Sequence, residues 1–229
     1  MPERSAIANS TLTFLRDLNK HNDRDWFLTH KERYQSALEN MRAFSDALIA
    51  QMNRHDRIAT ANGKESLQRI YNDQRFHKER PPYKARFVGG LARIKPALRG
   101  GYHFSIKPGA SFIACGFFNP EAEDLKRIRM DILHDPATWD RLLKAKTLRS
   151  HWGMLEGKQL KTAPRGFPKD HEAIDLLRRT QFLFRHSFTD KEVLAPGFVA
   201  AVSTHFKSIR PLFDHFSEVL TTDANGNPL

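Results

Sequence analysis

Y-H-F-S-I-K-P-G-A-S-F-I-A-C-G-F-F, residues 102–118, is the stretch that decides the fold class. Tyr102, Phe104 and Ile106 alternate with His103, Ser105 and Lys107, the period of a strand with one buried face. Pro108-Gly109 supplies turn chemistry, and the apolar, aromatic run 111–118 follows it, so the whole predicts a β-hairpin. Further strands are expected within 66–71 and 85–94, and 181–185 is short enough to join the hairpin sheet.

Outward from the hairpin the period changes. Leu12, Leu15 and Leu18 share a helix face; after a polar break at 19–23, Tyr34, Leu38, Met41, Leu48 and Met52 recur at helical spacing. On the C-terminal side, residues 121–133 carry Leu125, Ile128 and Ile132. Asp135-Pro136 reads as a cap followed by proline at the first helical position, with Trp139, Leu142 and Leu143 on the buried face. Residues 158–169 form a Pro/Gly-punctuated basic loop, and 170–179 reads as helix. Thr189-x-x-Glu192 is a capping box, and Phe198, Val202, Phe206, Ile209, Phe213, Phe216 and Leu220 mark a long terminal helix bent at Pro211. Helices, then strands, then helices predict an α+β fold, with an antiparallel sheet from the central region packed with N- and C-terminal helices. We expect one domain over residues 11–220, flanked by flexible ends at 1–10 and 221–229.

The composition narrows the classes. Hydrophobic residues make up 40% of the 229, with seventeen phenylalanines, so the mean hydropathy of −0.58 reflects a charged surface over a sizeable core. The formal net charge is +11, a field that attracts phosphates, nucleic acids or anionic surfaces. Cys115 is the single cysteine, which excludes an intramolecular disulfide framework and suits the cytoplasm. No apolar run is long enough for a membrane helix, so no membrane partner is expected. Oligomeric state is not legible.

Residues 69–84, R-I-Y-N-D-Q-R-F-H-K-E-R-P-P-Y-K, concentrate cations with three aromatic rings. The segment resembles R-x-x-R-D-x-R-F-x-x-[D/N]-K-x-x-Y, the signature of the family called domain of unknown function 2461. Arg69, Asp73, Arg75, Phe76 and Tyr83 fall on the pattern; Asn72, Glu79 and Arg80 stand where the family has arginine, Asp or Asn, and lysine. Residues 14–27 (F-L-R-D-L-N-K-H-N-D-R-D-W-F), Lys107-Pro108-Gly109 and 161–171 (K-T-A-P-R-G-F-P-K-D-H) are similar to that family as well, so the likeness covers roughly residues 11–220. It implies a soluble single-domain chain and no stated activity.

Other chemistry finds little purchase. There is no H-E-x-x-H and no thiolate zinc set; Asp131-x-x-His134-Asp135 reads as a helix end followed by a cap, so no metal or other cofactor is expected. Gly89-Gly90 and Gly100-Gly101 lack phosphate-loop spacing. No G-x-S-x-G elbow occurs, and Cys115 sits in an aromatic strand as a buried, inert thiol.

The candidate ligand-binding residues are therefore Arg69, Asp73, Arg75, Lys78, Arg80, Tyr83 and Lys84. Arg75 and Arg80 grip a carboxylate or phosphate, Lys78 and Lys84 add charge, Asp73 orients an arginine or accepts a proton, and Tyr83 donates its hydroxyl. Lys161 and Arg165, on the second basic loop, would face Arg75. The opposing reading is a structural ion-pair network in which Asp73 and Glu79 pair with Arg69, Arg75 and Arg80, with Phe76 and Tyr83 as core anchors. Three partner classes stay open: a small anion, a nucleic acid whose bases stack on Tyr71, Phe76 or Tyr83, and an acidic protein. Whether a reaction follows is undetermined.

Overall fold

The computed structural model describes residues 5–75 and 79–223. Among them are four strands: β1 (Phe87–Ala92), β2 (Gly101–Ile106), β3 (Ser111–Phe117) and β4 (Phe182–Phe188). They form one antiparallel sheet in the order β1-β2-β3-β4. With helices before and after the sheet, the fold is α+β, as the 102–118 hairpin predicts. Gly109 takes φ +70° in the β2–β3 turn, and Ala110 N–H closes it on Lys107 O at 2.9 Å. Pro-Gly supplies that conformation with little steric cost.

By its internal contacts the chain divides into two compact units. Unit 1 takes the chain through Leu91 with His103–Ile113 and Ser187–Thr204; unit 2 takes Ala92–Tyr102, Ala114–His186 and the chain from His205 onward.

In unit 1, α1 (Asn9–Lys20) buries Leu12, Phe14, Leu15 and Leu18. The polar break is real: α2 (Arg24–Thr29) starts at Asp23, whose carboxylate accepts from Trp26 N–H at 2.8 Å. α3 (Lys31–Met52) buries Met41, Phe44, Leu48 and Met52. Phe44 meets Phe104 edge-on at 5.4 Å and stacks on Phe198 at 5.6 Å. Gly89 lets β1 approach this cluster, since a Cβ there would run into the Phe104 ring. Arg16 and Gly109 N–H both bond Asp190, at the start of α9 (Asp190–Val193). The Thr189–Glu192 capping box is complete.

The expectations for 66–71 and for the terminal helix fail in detail. Residues 66–71 are no strand: α4 (Gly63–Ser66) occupies their start, and only isolated bridges follow. The terminal helix is two helices, α10 (Phe198–Ser208) and α11 (Arg210–Thr221), because Pro211 lies in the first turn of the second and has no N–H to continue the first.

Unit 2 holds α5 (Ala122–His134), α6 (Pro136–Lys144), α7 (Lys146–Trp152), α8 (Ile174–Leu177) and α11. Asp135 accepts from Thr138 N–H at 3.0 Å with Pro136 in the first turn, as the sequence predicts. Fully buried Trp139 packs with Phe182 and Phe216. The helix expected over 170–179 shrinks to α8, because Arg178 O and Thr180 N–H bond the loop at Leu160 and Lys158 instead. Cys115 is buried in β3, and burial pushes its thiol well above the ordinary value, which keeps it inert.

Candidate functional site

Residues 67–75 and 79–89 of unit 1 form two arms joined by antiparallel bridges at Leu67–Gly89 and Tyr71–Tyr83. Gln68 N–H donates to Val88 O, Lys84 N–H to Ile70 O and Asn72 N–H to Pro82 O, at 2.7–2.9 Å. The ladder cannot continue into a strand because Pro81 and Pro82 have no N–H. Asn72 replaces the family-like arginine with a structural tie, its amide donating to Pro81 O at 2.7 Å. Gln74 repeats the tie one step out, to Arg80 O at 3.1 Å.

A clasp 61 residues away in sequence holds these arms. Asn22 Nδ2 donates to Tyr83 O at 2.9 Å, and Tyr83 N–H donates to Asn22 Oδ1 at 3.0 Å. The Phe27 ring stacks on Tyr83 at 4.0 Å and 12°, with Tyr34 5.0 Å and Tyr71 5.9 Å from the same ring. Such contacts add to the free energy of burying the rings themselves. Residues 14–27 and 69–84, the two longest stretches of family likeness, therefore meet in one cluster. Tyr83 is 4% exposed and Tyr71 53%, so the cluster runs from core to surface.

The polar groups around it are mostly basic. Burial raises the Tyr34 hydroxyl above its ordinary value and Tyr71 adds to this, while Arg42 opposes both. Burial and Tyr71 raise Tyr83 likewise, with Arg24 opposing and Asp23 adding to the rise. Burial, then the Arg86 guanidinium, lowers both Lys84 and His103. Lys84 Nζ donates to Arg69 O at 2.9 Å.

Arg42 is the least compensated of these cations. Its Nε is buried without a partner, and none of its guanidinium nitrogens is bonded among the described residues. Arg99 and Arg179 also bury a bare Nε, but Arg99 is held by Asp124 and Arg179 by Gly157 O.

Arg75 and Asp73 make a bidentate pair, Nε–Oδ1 3.0 Å and NH2–Oδ2 2.7 Å, which holds Arg75 above its ordinary value. Asp73 thus holds the Arg75 fork, and the Arg75 side chain is 80% exposed. Arg69 and Arg80 are exposed, and Arg80 lies in a bend after a turn at Glu79. Lys78 and Phe76 lie outside the described residues. Lys161 and Arg165 are exposed on a loop of unit 2.

Sequence reasoning missed Asn22, Tyr34, Arg42, Arg86 and His103. The one available signal was Tyr34 and Arg42, eight residues apart on adjoining stripes of α3. Among the described residues no group of three or more His, Cys, Asp or Glu could hold a metal ion. No helix is long and apolar enough to cross a membrane.

No curated protein matches this chain, and no solved structure does. The family described as conserved hypothetical protein (DUF2461) matches it over residues 10–215, and the chain belongs to that family.

Proposed function

We propose that unit 1 binds a small anionic ligand, phosphate- or carboxylate-bearing, at the tyrosine and cation cluster beside residues 69–84. The observation that carries this reading is the bare guanidinium of Arg42 beside Tyr34. A buried donor without an acceptor costs about 1–3 kcal/mol, and a ligand oxygen would recover it. Arg86, Lys84 and His103 contribute charge whose mutual repulsion an anion relieves. Tyr34 and Tyr71 offer hydroxyls, Arg69 and Arg80 extend the basic rim, and Asp73 presents Arg75 with its fork fixed. Tyr83 serves chiefly as the stacked anchor that sets the geometry. The reading is one of binding, and no reaction is assigned.

Tyr71 favours a second reading, because its exposed ring beside cations also suits an unpaired base. Thermal-shift measurements on wild type, Arg42→Met and Arg75→Ala, with inorganic phosphate, nucleotides, dicarboxylates and short oligonucleotides at two salt concentrations, separate the two. A salt-resistant shift by a small anion, lost in Arg42→Met, is expected. Shifts by oligonucleotides alone, vanishing at high salt, would replace the small-anion reading with nucleic-acid binding. No shift by any probe would leave the cluster structural, and an acidic protein would then be the partner to seek.

A further inference from the structure

A second site lies in unit 2, where α5, α6 and α11 line a cleft of about 730 Å³. In its wall Asp131 Oδ2 accepts Trp139 Nε1–H at 2.6 Å and meets His215 Nε2 at 2.9 Å. The Asp131 and His215 side chains are 29% and 16% exposed. A carboxylate only accepts, so Nε2 carries the hydrogen, and in the neutral ring Nδ1 keeps its lone pair. Nδ1 has no partner among the described residues and is not among the buried bare atoms, so it is open to solvent in a residue that lines the cleft. The fully buried Trp139 ring stands edge-on to the imidazole at 5.1 Å and fixes its plane. A histidine held at one nitrogen by a carboxylate and open at the other is arranged to take up a proton.

We propose that His215 is a general base in this cleft, with Asp131 as its positioning residue, acting on the hydroxyl of an uncharged small ligand or on a water in its place. The O–H bond breaks, its proton forms a bond to Nδ1, and the electron pair stays on oxygen. The imidazolium that results is stabilised by the Asp131 carboxylate. The ligand class follows from the lining, where five carboxylates face three cations in a chain of net charge +11. Asp135 is engaged in capping Thr138, and Arg127 is drawn to Glu123 at 3.9 Å. An anion is disfavoured there, in contrast to unit 1.

The probe is p-nitrophenyl acetate, a neutral ester. Water gives its proton to Nδ1, its oxygen attacks the carbonyl, nitrophenolate leaves, and the imidazolium returns the proton to solvent. The charged and titratable groups that share the cleft with His215 are Glu123, Lys126, Arg127, Asp131 and His134 from α5, Asp135 and Arg141 from the α6 side, and Glu218 and Asp223 from α11 and the residues after it. His215→Gln is expected to lose at least tenfold of the rate above background, while His21→Gln, at an exposed histidine of unit 1, keeps it. Asp131→Asn should lower the rate and move its pH midpoint downward, because the imidazolium loses its counter-charge; a midpoint that stays in place would overturn the role of the Asp131–His215 pair in the rate. An unchanged rate in His215→Gln overturns the proposal. Should that variant fail to fold, diethyl pyrocarbonate on wild type followed by peptide mass mapping decides: carbethoxylated His215 upholds an open Nδ1, and an inert His215 overturns it.

Discussion

Arg93 in unit 2 is buried whole and Arg42 in unit 1 buries its Nε, and the two are treated in opposite ways. The Arg93 side chain is fully buried and donates to Arg99 O at 2.6 Å and Asp214 Oδ1 at 3.0 Å, with its guanidinium over the Phe213 ring at 5.3 Å. Arg42 has a buried Nε and no bonded nitrogen among the described residues. A cation whose donors are matched within the fold serves stability; one whose donors are left bare lowers it unless something else binds. Position in the fold, and not residue type, separates the two roles.

The comparison can be broken in several places. The largest effect is expected at Arg93→Ala, which strands the Arg99 carbonyl, takes a partner from Asp214 and leaves a void: a loss of about 3–5 kcal/mol in urea unfolding. A loss under about 1 kcal/mol there would remove the contrast. Asn22→Ala unties both bonds to the Tyr83 backbone and should cost about 2 kcal/mol in the same experiment. It should also weaken any anion-dependent stabilisation, because the arms carrying Lys84 and Tyr71 lose their anchor. Thr189→Ala removes the capping box of α9, costs about 1 kcal/mol and should leave the anion response untouched.

The pH dependence sharpens the same contrast. His103 titrates below the ordinary histidine value of about 6.5 when folded, so the unfolded chain binds more protons near and below that pH. Its contribution is intact above pH ~6.5 and is lost as the pH falls through the unfolded value toward the folded one. Replacement by Gln should flatten that acid limb. A bound anion favours protonated His103, so phosphate affinity should rise as the pH falls through the same range, and a flat affinity would detach His103 from the site.

Much of the fold was legible because its signals are local. Pro108-Gly109, Asp135-Pro136 and Thr189-x-x-Glu192 each specify their own backbone, and each stands as read. Residues 66–71 misled because strand-like composition says nothing of the partner, which here contains two prolines. The helix over 170–179 misled because its end was claimed by the neighbouring loop. In the candidate site the 69–84 segment stands out as a charge-rich run, whereas Asn22 reaches it only through a tertiary contact, Arg42 comes in beside Tyr34 and His103 beside Arg86. The Asp131–His215 pair, 84 residues apart, has no periodicity to betray it. In sequence Asp131 stands with His134 and Asp135, yet its partners are Trp139 and a histidine on the terminal helix.

The most direct test is the unfolding free energy of Arg42→Met against wild type, with and without inorganic phosphate. If Arg42 is held for a ligand, the variant in anion-free buffer should match or exceed wild-type stability, and phosphate should stabilise wild type alone. A variant destabilised by about 2 kcal/mol or more without phosphate, and stabilised by phosphate as much as wild type, would make Arg42 a structural residue and contradict the account.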